Sequence, residues 1–337
     1  MKRIAYGVAG LVFFMMVFTG QGAQPTAFFR ILSSANSSIV SFSADGTLVW
    51  TNAAVEGVRC TVQRATTLAG AGNWMNFTTL AATNTWMSLR VFDPIAPAGM
   101  VLIPEGVNSG TDPDDGGYSL EVSSFYMDRT EVTKAQWDVV YEWAVTNGYS
   151  FDNVGSAKAA DHPVQTVNWY DCVKWCNARS EKEGRTPCYN LVDWSCDVSA
   201  NGYRLPTGVE WEYAARGGLI GKRFPWGDSF TRDQANYYGV PSYYLYDYGY
   251  EGYDTRYETG EVPFSNPVED IPVNGFGLYG MAGNVWEWCT DWNEADQKRN
   301  ARGGGWDDDA FFLRCRCEVW YAPDDTSNFG GFRTVCR

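Results

Sequence analysis

The chain has 337 residues, a formal net charge of -14 and a pI near 4.5, and no basic stretch that could neutralise phosphates, which argues against a nucleic-acid partner. Hydrophobic residues make up 45 %, enough for packed cores in one or two domains, which excludes a disordered chain. Nine cysteines stand beside a single histidine with no paired Cys-x-x-Cys motifs, so structural zinc is a poor reading and at least one thiol is left over.

The first element is a leader. Met1-Lys2-Arg3, a mostly apolar run from Ile4 to Phe18 and the small, polar "TGQGAQ" follow the order of a secretory signal peptide, residues 1-23, with cleavage after Gly22 or Ala23. The alternative is an uncleaved anchor, because the run is nearly long enough to span a bilayer. Both readings place the bulk of the chain outside the cytoplasm, secreted or periplasmic, where disulfides persist; cleavage would leave no stable membrane span. Residues 24-95 carry short runs such as "SIVSFS", "TLVWTN" and "CTVQRA" between turn signals, the pattern of a small all-β, sandwich-like module without a catalytic constellation. "DPIAPAG" at 93-99 reads as the linker to a second domain, 96-337.

Helix signals begin beyond the linker. Thr133 and Gln136 form a capping box, followed by Val139, Val140, Trp143 and Ala144 on one face and a stop at Gly148. From Asn168, Trp169, Cys172, Val173 and Cys176 recur at helical spacing and turn both cysteines inward, with Gly184 as the C-terminal cap. A third, shorter helix starts at Thr207 with Glu210 as box partner and ends at Gly217-Gly218. Cys188 and Cys196 flank the turn-rich "CYNLVDWSC" and look like a local cystine. Past Gly218 periodicity fades while aromatics stay frequent, so turns, buried tryptophans, cystines or cations must pin long irregular segments.

In order along the chain stand "GMVLIPEG" (99-106), "FYMDRTEVTKAQW" (125-137), "HPVQTVNWYDCVKWC" (162-176), "NGYRLPTGVEWEYAARGG" (201-218), "FPWGD" (224-228), "NGFGLYGMAGNVWEWCTDW" (274-292), "RGGGW" (302-306) and "GGFRTV" (330-335). Together they closely resemble the formylglycine-generating enzyme, or sulfatase-modifying factor, family. The resemblance implies an α+β fold with much irregular structure, a variant of the C-type lectin-like fold. It implies calcium ligands at Gly280, Gly283, Val285 and Glu287, with a second set at Asn236 and Asp254; purely structural roles for these residues are the alternative. It also implies a cystine between Cys176 and Cys336.

Oxidases of the family hold copper(I) with two cysteines after an "RGGS" turn, because soft thiolates select that ion. Here the first of those positions is Asp308, none of Ala310 to Leu313 is a cysteine, and Gly305 stands in the serine position, so copper is not expected. Cys315 and Cys317 are a displaced pair if they share a strand face; the alternative is a structural cystine, for instance Cys289 with one of them. Asp307, Asp308, Asp309, Asp324 and Asp325 read either as an acid/base cluster or as a solvated rim. His162, in the "HPV" turn, reads as a loop residue rather than part of a triad. The expected function is a binding module whose cleft, at Gly305, Trp306, Asp307, Asp308, Phe311 and Phe312, holds a peptide, a glycan or a protein such as a sulfatase. The alternative is an active oxidoreductase that modifies a sulfatase cysteine.

Overall fold

The computed structural model describes residues 96-337 throughout and, before them, eight strands between Gly7 and Arg90. The expected cleavage point after Gly22 or Ala23 and the start of the linker lie outside the described residues. The early strands are β1 (Gly7–Val8), β2 (Leu11–Met15), β3 (Phe28–Ser33), β4 (Ser37–Phe42), β5 (Thr47–Asn52), β6 (Arg59–Ala65), β7 (Met75–Ala81) and β8 (Trp86–Arg90). They form an antiparallel sheet in the order β1-β2-β3-β6-β7 and a second, antiparallel β4-β5-β8. β5 shows the period of two behind such sheets: Leu48, Trp50 and Asn52 are buried while their neighbours are half-exposed. β1 and β2, within the leader-like segment, thus pair onto β3 through β2. No helix among the described residues is long and apolar enough to cross a membrane.

From residue 96 the fold has few helices, many short strands and much irregular chain. β9 (Met100–Ile103), β12 (Phe125–Asp128) and β17 (Val335–Cys336) make one sheet, and β10 (Gly106–Asp112) pairs with β11 (Gly116–Val122) as a hairpin. β13 (Trp286–Asn293), β14 (Lys298–Arg302), β15 (Glu318–Tyr321) and β16 (Gly330–Gly331) form the sheet that carries the site, in the order β15-β14-β13-β16.

The three helices begin where the sequence says. α1 (Lys134–Thr146), α2 (Trp169–Lys182) and α3 (Gly208–Arg216) each have a complete capping box, at Thr133/Gln136, Asn168/Asp171 and Thr207/Glu210. In each, the side-chain oxygen of the cap accepts a backbone N–H that the first turn leaves without a partner. α3 ends on Gly217 at φ +54°, a left-handed conformation that suits glycine. The face of α1 differs from expectation. Its buried stripe is Trp137, Val140 and Ala144, and Val139 is 58 % exposed, because Trp137 stacks on Trp175 of α2 and turns Val139 outward.

Charged pairs join the elements. Glu287 on β13 accepts from Arg333 Nη2 at 2.6 Å and Nε at 2.7 Å, and from the Trp211 indole of α3 at 2.7 Å. Arg333 and Glu287 are both fully buried. Arg333 also donates to the carbonyls of Asp128 and Tyr279, so one guanidinium links β12, β13, the Tyr279 turn and the C-terminal segment. Arg216, also fully buried, ties α3 to β10 through Asp112 at 3.1 Å and stacks over Tyr118 of β11.

Replacing Arg333 with Met leaves Glu287 charged and buried without a counter-ion, and should cost about 3–5 kcal/mol. Chemical denaturation of Arg333→Met, Glu287→Gln and the double variant checks this; the double variant should lose less than the sum of the singles.

Candidate functional site

β13 sets up the site by simple alternation. Glu287 and Cys289 point to the side of α3 and Arg333, whereas Trp286 and Trp288 point to the other side, into the core built on α1 and α2. On the tryptophan side lies a cavity of about 200 Å³, lined by Trp286, Trp288, Tyr321, Phe329, Val167 and Ala301. Thr326 and Asp325, both exposed, and Ser327 supply its polar rim. An apolar cleft with a few convergent polar groups is the usual shape of a ligand site.

Above it runs the "GGGWDDD" segment. Asp308 Oδ2 accepts from the Trp286 indole at 2.6 Å and from the Gly305 N–H at 2.9 Å. Asp307 accepts from the Tyr253 hydroxyl at 2.6 Å, and Asp309 from the Tyr244 hydroxyl at 3.1 Å. Each aspartate of the run is therefore held by an aromatic donor from elsewhere in the chain. Burial, with added repulsion from Asp307 and Asp309, outweighs the two bonds to Asp308 and pushes its carboxyl up to about 6.

Of the cleft residues expected from sequence, Asp307, Asp308, Phe311 and Phe312 reach the surface or lie just beneath it. Gly305 and Trp306 do not: Trp306 is buried against Tyr253 and Phe264, with its indole on the Asn328 carbonyl, and a Cβ at Gly305 would meet Phe329 at 3.0 Å. Trp288, Tyr321 and Phe329 were missed as lining residues. The alternating "VWEW" carried the signal for the tryptophans; Tyr321 and Phe329 come in from distant segments.

Cys315 and Cys317 do not share a strand face. Residues 311–316 are turns and a bend, Cys315 N–H donates to the Arg223 carbonyl, and Cys317 N–H closes a turn on Arg314. Cys315 packs in the core beneath α3 and Cys317 in the core around α2. Burial raises the two thiols to about 12 and 11. All nine cysteines are thiols in the structure. Cys176 lies within the electrostatic reach of Cys188 and Cys196, and Cys336 rests on Met100 with its sulfur 3.6 Å from the thioether. Across the 188–196 turn the backbone of Tyr189 pairs with that of Cys196.

The residues offered for calcium have other partners. Both oxygens of Glu287 are taken by Arg333 and Trp211. Gly280 has no room for a ligand side chain, since a Cβ there would meet the Glu131 carboxylate at 2.4 Å. Glu131, Glu287 and Arg333 put two carboxyls against one guanidinium, and burial keeps Glu131 as the acid well above the usual carboxylate range. Gly283 is backed by the Asn236 carbonyl, and Val285 packs against Gly331. Asn236 donates to the Phe264 carbonyl, and Asp254 is chelated by Arg256 at 2.7 Å. Arginine thus takes the two carboxylates of these sets, Glu287 and Asp254, whose charge a cation would otherwise share. Among the described residues no three acidic, histidine or cysteine groups gather as a metal site.

His162 Nδ1 lies 3.0 Å from Ser265 Oγ, with Ser265 fully buried, and the His162 carbonyl caps the start of α1. A hydroxyl closed to solvent is no nucleophile, and the histidine is a structural loop residue.

The sulfatase-modifying factor enzyme 1-like domain model matches residues 92–337. The chaperone protein LppX of Paenibacillus barcinonensis is 31 % identical over 232 residues, covering 61 % of this chain and 78 % of that protein. The formylglycine-generating enzyme of Bos taurus is 27 % identical over 311 residues, with 71 % and 75 % covered. The crystal structure of CarF superposes with a TM-score of 0.57 at 26 % identity, over 72 % of this chain and 99 % of that one.

A carboxyl with a folded pKa of about 6 and an unfolded value near 3.8 is most favourable to the fold below pH 4, and that contribution is lost as pH rises through 6. The wild type should therefore lose stability relative to Asp308→Asn between about pH 4 and 7. Paired denaturation curves across that range check the sign. A chelator such as EDTA should leave Tm unchanged, as scanning calorimetry would show; a drop restored by calcium would contradict the reading of the arginine-filled sets.

Proposed function

The chain belongs to the sulfatase-modifying factor family, and from that membership we propose that it is an extracytoplasmic binding protein without the family's copper oxidase chemistry. The observation that carries the reading is Asp308. It stands where the resemblance expects the first copper cysteine, and its carboxylate is engaged by Trp286 and Gly305 directly above the aromatic cavity. The two nearest thiols are divided between separate cores. What the site retains is shape: room for one apolar or aromatic side chain of a peptide or protein, with hydroxyls and a carboxylate at the rim.

The family supports both uses of such a scaffold, since one relative is named an enzyme and another a chaperone. The C-type-lectin-like description of the fold belongs to the same proposal, as do the leader, with its implied oxidising compartment, and the pairing of thiols around α2. Cys176, Cys188 and Cys336 share one core with Cys196 packed against it, so oxidation among them would join α2 to the 188–196 turn or to the C-terminal strand.

Purified protein given copper(I), oxygen and a Cys-x-Pro-x-Arg peptide should produce no aldehyde by mass spectrometry. N-acetylated phenylalanine and tryptophan amides should perturb the NMR signals of the Trp286 and Trp288 indoles, and Ser327→Phe, which fills the cavity mouth, should abolish the effect. Aldehyde formation, or an unfilled cavity indifferent to both probes, would overturn the reading.

A further inference from the structure

The segment from Phe230 to Tyr257 holds nine tyrosines and lies against the aspartate run. Tyr238 N–H donates to the Asp308 carbonyl, and Tyr244 and Tyr253 donate to Asp309 and Asp307. Much of its aromatic surface faces solvent: Tyr243 is 77 % exposed, Leu245 90 % and Tyr248 66 %. Tyrosine interleaved with glycine, serine and aspartate is the composition of adaptable protein-binding loops, because the ring offers large contact area at small entropic cost.

Charge narrows the partner. Residues 228–261 contain seven carboxylates and two arginines, and both arginines are consumed internally. Arg232 donates to the carbonyls of Tyr237, Tyr250 and Gly252, while Arg256 chelates Asp254. Those internal contacts also show what the surface selects. Arg232 stacks over Tyr237 at 4.3 Å and Tyr250 at 4.6 Å, Arg256 over Tyr257 at 5.1 Å, and Arg223 over Tyr246 at 5.1 Å while paired with Asp114. A guanidinium over a tyrosine face is thus this region's recurring contact, in two of these three cases with a carboxylate paired to it. Outward, Tyr243 and Tyr248 offer the same faces, and the exposed Glu251, Glu258 and Glu261 offer the charge, since Asp247 and Asp254 are buried and Asp228 and Asp233 pair with Lys222 and Arg256. A planar guanidinium fits both at once, whereas an ammonium gives up the stacking and the two-pronged hydrogen bonding.

We propose that this tyrosine-rich rim docks an arginine-bearing segment of a partner protein. The proposal deepens the binding-module reading, on which it rests, by naming the chemistry of the partner beside the cavity.

The test uses the full chain and three labelled peptides, repeats of arginine, serine and glycine and the same repeats with lysine or glutamate in place of arginine. Fluorescence anisotropy is read at about 0.15 M salt, where pairs of exposed charges are largely screened. The arginine peptide should bind, the lysine peptide about tenfold more weakly and the glutamate peptide not at all. Tyr243→Ser with Tyr248→Ser, both at exposed positions that leave the core alone, should weaken the arginine peptide by about tenfold. Equal affinity for arginine and lysine, no effect of the double variant, or no binding would each overturn the proposal. Ser327→Phe separates the two readings: binding lost there but kept in the tyrosine variant would sink the rim and leave the cavity standing, and the reverse pattern supports the rim.

Discussion

The domain depends on one buried contact, the two-pronged pair between Glu287 and Arg333 with the Trp211 indole as third partner. Neither charged group reaches water, so each is tolerable only while the other is in place. The geometry of that contact fixes the start of β13. Because side chains alternate along a strand, placing Glu287 toward Arg333 sends Trp286 and Trp288 to the opposite side, where both line the cavity and Trp286 holds Asp308. Core and site are thus coupled through a strand register.

Arginine supplies, throughout, what a poor ration of secondary structure cannot. From Gly217 to Val285 backbone pairing is limited to turns and isolated bridges, and Arg232 adds bonds to the carbonyls of Tyr237, Tyr250 and Gly252 while Arg256 adds one to that of Arg232. The same choice explains the two sets read as calcium ligands. A guanidinium spreads its charge over several oxygens with fixed geometry, and Arg333 and Arg256 hold the carboxylates of Glu287 and Asp254 in that way.

Local signals were legible in the sequence. The capping boxes at Thr133 and Thr207, the left-handed stop at Gly217 and the inward cysteines of α2 depend on neighbours within a few residues. The order of motifs identified the family. What failed was non-local. Val139 looked like core because the stacking of Trp137 on Trp175 is set by the packing of α1 on α2. Cys315 and Cys317 looked like strand neighbours, but the Cys315 amide is drawn to the Arg223 carbonyl and the chain turns. Gly305 and Trp306 looked like cleft residues, yet Phe329 and Asn328 come across from a later segment and cover them. Nothing in the spacing of residues 301–317 could have announced that.

The aspartate run bears on how such a domain can change over generations. Asp307, Asp308 and Asp309 each satisfy a donor from a different stretch of chain, Tyr253, Trp286 and Tyr244. A cysteine at 308 would replace a carboxylate by a shorter, weakly accepting thiol and leave a buried indole N–H and the Gly305 amide without their oxygen. Position 308 could accept a thiol only after the turn had loosened enough to give those two donors other partners. The hydrogen bonds now in place limit which residues can come next there, as a pawl limits a ratchet.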